Sequence, residues 1–213
     1  MDFIPSLPVF IAFSVAALLL VLTPGPDMTL FLGRTLSQGK ANGMASMMGA
    51  VFGIFIHTSL VALGISALIA ASPSAFGILR IVGAGYLAWL AFQAIRTGTK
   101  FELKSKKEKP ASMFSNWVVG IGINLLNPKI VLFFITFLPQ FVSITDPHAI
   151  GKMLFLGIYF AFICIILGTG MIFLVDRYAS ALKKNPKVIR VIDYMFAGVF
   201  GAFAVKILLT EKA

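Results

Sequence analysis

The sequence predicts an all-α integral membrane protein: six transmembrane helices forming two inverted three-helix repeats, with helices 1 and 4 broken at proline motifs. Composition comes first. Mean hydropathy is +0.95, and of 213 residues 59% are hydrophobic and only 12% charged. A soluble domain of this size has no use for so much apolar surface. Crossing a bilayer takes roughly 20 apolar residues, and six runs of that order lie near 3–23, 42–70, 76–96, 115–141, 150–175 and 190–209. The chain thus reads as a single transmembrane domain over 1–213, with halves of about 1–99 and 112–213 and a lysine-rich linker at about 100–111.

The second observation is a coincidence of prolines. The first span ends in Leu22-Thr23-Pro24-Gly25-Pro26-Asp27, and the fourth is interrupted at Leu126-Asn127-Pro128-Lys129. An offset of 104 residues lays Pro24 on Pro128, Gly53-Ile54-Phe55 on Gly157-Ile158-Tyr159, and Leu63-Gly64 on Leu167-Gly168. Matches among Leu, Ile and Phe carry little weight in so apolar a chain, whereas Pro and Gly constrain backbone shape. Three spans per half bring the second half in from the opposite side, so the repeat is inverted. Proline removes one backbone hydrogen bond and obstructs another; in lipid it survives only where protein or an aqueous cavity satisfies the freed groups. Paired breaks in inverted repeats point to a transporter's binding site.

Taken in order, the first span follows Met1-Asp2-Phe3, which lacks the basic segment of a secretory signal, and is read as retained. The second carries Gly39, Gly43, Gly49 and Gly53, the third Gly83 and Gly85, and the sixth Gly198 and Gly201. Small residues let helices approach closely where lipid supplies no hydrophobic drive, and one such face would suit a homodimer. The fifth span holds Cys164, the one cysteine, read as a small packing residue.

Charge orients the helices. The net charge is +10, but the basic residues fall between spans with no aromatic platform beside them, so no nucleic acid is expected as a partner. The first, third and fifth connections hold Arg34 and Lys40, then Arg96, Lys100, Lys104, Lys106, Lys107 and Lys109, then Arg177, Lys183, Lys184, Lys187 and Arg190. The positive-inside rule makes these connections, at 24–41, 97–114 and 176–189, cytoplasmic and puts both termini outside. The linker is placed to touch anionic lipid headgroups.

Ionisable groups at membrane depth are costly and are functional candidates by default. Asp27 and Lys129 each follow a break. Either they face one polar cavity, paired or holding opposite ends of a zwitterion, or Lys129 snorkels and Asp27 caps a helix starting at Met28. The candidate substrate-binding residues are Thr23, Pro24, Gly25, Pro26, Asp27, Asn124, Asn127, Pro128 and Lys129. Half-helix N-termini at the breaks suit a carboxylate, Asp27 an ammonium. Asn124 reads equally as an interhelical hydrogen bond. Asp27 and His57 are the proton-coupling candidates; His57 reads otherwise as a neutral group bonded to a neighbouring helix. Asp176 and Asp193 are read as partners of Arg177 and Arg190.

The sequence has no HExxH, P-loop or GxGxxG motif and no second cysteine. No catalytic residue, metal site or cofactor is expected, and energy must come from an ion gradient, the substrate's own gradient or another protein.

The two break motifs, the second being Asn124-Leu125-Leu126-Asn127-Pro128-Lys129 leading into Phe133-Phe134 and Phe137-Leu138-Pro139-Gln140-Phe141, resemble the LysE/RhtB family of bacterial amino-acid exporters. So do the series Gly39, Gly43, Gly49, Gly53, His57 and Gly64 and the stretch Gly83-Ala84-Gly85-Tyr86-Leu87, and the likeness spans nearly the whole chain. The resemblance implies an inner-membrane exporter of amino acids or their derivatives driven by proton motive force, similar to the RhtB branch with its homoserine, threonine and other neutral amino-acid substrates. The alternatives are a cation exporter, a channel of related architecture, or an intramembrane enzyme. Few carboxylates lie in the spans for a divalent cage, and His57 has no assignable nucleophile partner.

Overall fold

The structure, a computed structural model, describes residues 4–71, 111–143 and 146–182 and isolated helical positions within 78–96 and 194–205. Most of the expected third and sixth spans, the linker at 100–110 and Asp193 lie outside the described residues, as does the side chain of Asp176. Among the described residues there is no strand.

Helix α1 (Leu7–Leu22) starts with a proline in its first turn and ends at Thr23, whose φ of −71° and ψ of 121° are the extended conformation that a following proline imposes. Helix α2 (Pro26–Gln38) begins directly after the break, with extended Gly25 at its N-cap and a proline at the position that tolerates one best. It ends at Gly39, whose φ of +89° is open to glycine and strained for other residues. Gly39 therefore serves a turn, whereas Gly43 lets α3 lie against Thr35 and Phe31 of α2.

This corrects the expected connection at 24–41. Residues Pro26–Gln38 are helix, Arg34 included, and α3 begins at Lys40. Arg34, Thr35, Ser37 and Gln38 look like loop residues, yet Phe31, Leu32 and Thr35 fall on one buried face of α2. The helix also does not start at Met28, and no side chain caps it.

Helix α3 (Lys40–Ala71) is followed, past the undescribed segment, by α4 (Met113–Leu125), whose N-cap Ser112 accepts from the Ser115 amide at 3.0 Å. After the second break come α5 (Pro128–Leu132), a π turn at Phe133–Phe137 and a 3-10 turn at Leu138–Phe141 around Pro139. Helix α6 (Ala149–Leu182) runs past residue 176, so the first part of the expected connection at 176–189 is helical too. Within α3 and α6, Lys40–Gly64 and Ala149–Val175 are each long and apolar enough to cross a bilayer. The pairs α1–α2 and α4–α5 with its extension reach that length as bent units, bent by 50° and 53°.

Two apolar clusters hold these helices. The larger joins Phe13 of α1, Phe133, Phe134 and Phe137 of the π turn and Phe160 of α6, all buried; the Phe133 and Phe160 rings lie 4.8 Å apart, within the range of favourable aromatic pairs. The smaller gathers Phe31, Leu32, Met47, Ile172 and Val175, with Met28, Met44 and Met171 at its edge. Leu7, Phe114 and Leu126 are more than two-thirds exposed, as suits side chains that face lipid. At the start of α4, the buried Asn116 amide donates to Gln38 Oε1 at 3.1 Å and Asn42 Oδ1 at 2.9 Å, tying α4 to the α2–α3 corner.

Candidate functional site

The two breaks meet. In an unbroken helix the Leu20 carbonyl would accept from the amide of residue 24, but Pro24 has no N–H. Lys129 Nζ takes that place, donating to Leu20 O at 3.1 Å and to Thr23 O at 2.8 Å. An ammonium is also well suited to the negative end of α1. Thr23 closes its own turn, its amide and Oγ1 both reaching Leu19 O, at 3.0 and 2.7 Å.

The second break repeats the arrangement with other chemistry. Pro128 deprives the Asn124 carbonyl, and that oxygen is met by the Asn127 amide at 3.0 Å and by His57 Nε2 at 3.5 Å. The His57 ring is buried and stacks on Phe134, with centroids 5.6 Å apart. The carbonyls freed by Pro24 and by Pro128 are therefore both approached by an ionisable side chain from elsewhere in the chain.

Asp27, in the first turn of α2, accepts from Asn124 Nδ2 at 2.7 Å through Oδ2. Its Oδ1 is buried and has no hydrogen-bond partner. Asn127 caps α5, accepting from the Lys129 amide at 3.1 Å, while its Nδ2 is buried and unpartnered although beside Asp27. Asn124 Oδ1 lies against Gly53, where a side chain could not fit. Gly25 likewise leaves room for Lys129, since a Cβ there would stand 3.0 Å from Nζ.

Between the breaks lies a cavity of about 60 Å³, room for roughly four waters. Asp27, Asn124 and Lys129 form its polar part, and Leu20, Phe31, Met47, Ile54, Phe160 and Gly168 are among its apolar walls. Of the residues expected from sequence, those three line the cavity. Thr23 contributes its carbonyl and Gly25 its lack of a side chain. Pro26 and Pro128 are exposed and shape the backbone only, as does Pro24. Lys129 does not snorkel away, and Asp27 and Lys129 each bind the other half's backbone or amide in place of one another.

Sequence reasoning missed the walls. Met47, Ala50, Val51 and Ile54 all line the cavity, at spacings that place them on one face of α3, but in a helix apolar all round that spacing does not stand out. Cys164, read as packing, lines the cavity as well.

The homoserine/homoserine lactone efflux protein of Salmonella typhimurium (strain LT2) is 29% identical over 191 residues, covering 89% of this chain and 90% of its own. An uncharacterized membrane protein of Vibrio cholerae serotype O1 is 30% identical over 212 residues, covering 96% and 98%. Membrane protein YrhP of Bacillus subtilis (strain 168) is 26% identical over 204 residues, covering 92% and 96%. No solved structure matches. The family model for LysE type translocators matches residues 18–211, and the chain is a membrane protein belonging to that translocator family.

Proposed function

We propose that this chain is a secondary active exporter of neutral amino acids, of homoserine or threonine type, across the bacterial inner membrane. The observation that carries the reading is the pairing, in one small cavity between the two breaks, of an unpartnered buried oxygen on Asp27 with the ammonium of Lys129. Together they match a zwitterion: Asp27 Oδ1 accepts from the substrate ammonium, and Lys129 donates to its carboxylate. Apolar walls accept an uncharged side chain. A single carboxylate is a poor match for a divalent cation, which asks for six or more oxygens. The Salmonella relative, named for homoserine efflux, supports the substrate class.

Protons couple to transport at Asp27, with His57 linked to it through Asn124, which binds Asp27 by its amide and His57 by its carbonyl. The halves, about 1–99 and 112–213, act as inverted repeats that rock around this site, both termini outside. Asp27 protonates from the outside and loses its hold on the substrate ammonium there.

The test is accumulation of radiolabelled homoserine by inside-out vesicles with an acidified lumen. Wild-type protein is expected to accumulate it and to stop when a protonophore is added. Asp27→Asn is expected to lower the rate at least about a hundredfold, since it removes a buried charge that meets the substrate directly. Wild-type rates in a well-expressed Asp27→Asn protein, or uptake indifferent to the pH gradient, would end the reading of site or coupling respectively.

A further inference from the structure

Met47 belongs both to the cavity wall and to the methionine-edged cluster below it. Its partner across the helix contact is Gly168 of α6, another lining residue. A Cβ built on Gly168 would collide with Met47 Sδ and come within 3.9 Å of Phe31 Cζ. Gly168 is thus the seat on which the Met47 thioether rests. Methionine has three rotatable side-chain bonds and a polarisable sulfur, so it repacks at small cost. The cavity has room for roughly four waters, which a small amino acid already fills, so one wall has to give when a larger side chain enters. Phe31 and Phe160 are stiffer, and Ala50 and Val51 are too short to yield.

Resting on the site assignment above, we infer that Met47, seated on Gly168, is the movable wall that sets how large a substrate side chain the exporter accepts. Shortening Met47 enlarges the space beside the polar groups. Filling Gly168 pushes the thioether into the cavity, because Met47 is otherwise buried among its neighbours. The two changes therefore act in opposite directions on the same quantity. A residue that merely packed the helices would move all substrates together.

The experiment measures initial uptake of L-alanine, L-homoserine, L-leucine and L-phenylalanine by inside-out vesicles holding the full chain, with expression normalised by quantitative blot. Met47→Ala is expected to raise the leucine-to-alanine rate ratio by about tenfold or more, and Gly168→Ala to lower it by a similar factor, in keeping with what one or two methylene groups decide in an apolar pocket. If Met47→Ala proves unstable in detergent, Met47→Val replaces it with the same sign at smaller amplitude. Unchanged ratios in both variants, or equal losses for every substrate, overturn the inference. An Asp27→Asn arm keeps the two readings apart: loss of all uptake there with unchanged Met47 ratios leaves the site standing and removes only the size rule, whereas wild-type uptake removes the site itself.

Discussion

Lys129→Met should cost the protein its stability and its transport together. Methionine nearly matches the length and volume of the lysine stem, so packing is preserved and only the ammonium is lost. Two carbonyls, Leu20 O and Thr23 O, then lose their donor, and proline chemistry leaves the first without a substitute amide. Hydrogen bonds from charged donors contribute about 1.5–3 kcal/mol each. Water reaching the cavity offsets part of this, so a net loss of about 3 kcal/mol is expected. Thermal unfolding in detergent should show the drop, and vesicle uptake should fall below about 1% of wild type, since the proposed site loses the group assigned to the substrate carboxylate. Lys129→Arg retains charge but must fit a wider head beside Gly25, so it should recover stability better than transport. A Lys129→Met protein with unaltered melting would mean that the break is held by something other than this ammonium.

Gly120→Val should prevent accumulation of folded protein. Helices α3 and α4 approach so closely that a Cβ at Gly120 runs into the Ser46 carbonyl, and one at Gly49 into the Trp117 carbonyl. Both obstacles are backbone atoms, so no rotamer change relieves them and the helices must part. Separation would also pull Gly53 from Asn124, and with it the amide that holds Asp27. Overpacking in ordinary cores costs about 1–3 kcal/mol, and a clash against backbone belongs at or above the top of that range. Gly122→Ala is the matched control, since open space surrounds that position on the same helix. Fluorescence-detected size exclusion should give a monodisperse peak for Gly122→Ala and little or none for Gly120→Val. Equal peaks would refute the close crossing.

What could be read from the chain alone follows how local each cause is. Pro24 and Pro128 dictate their own neighbourhoods, so the breaks and the nearby Asp27 and Lys129 were visible as candidates. The glycines of α3 announced close packing, though not that Gly39 ends a helix while Gly49 and Gly53 meet α4. Helix α2 stayed hidden because its polar residues outweigh a short buried stripe. The partners of the freed carbonyls were hidden for a deeper reason: Lys129 meets a residue 109 positions away and His57 one 67 positions away. Only three-dimensional packing chooses those pairs. The apolar walls were illegible because, in a span where every face is apolar, the residues facing a void resemble those facing lipid.

The lysine that completes the first break also imposes an order on biogenesis. When α1 and α2 leave the ribosome and enter the bilayer, the oxygens at the end of α1 have no resident donor, and none arrives until residue 129 has been synthesised and inserted. Until then the bent α1–α2 unit must keep that kink near water or in the shelter of the insertion machinery. The late-arriving segment acts as a latch, and the nascent chain matures only when its second half closes over the first.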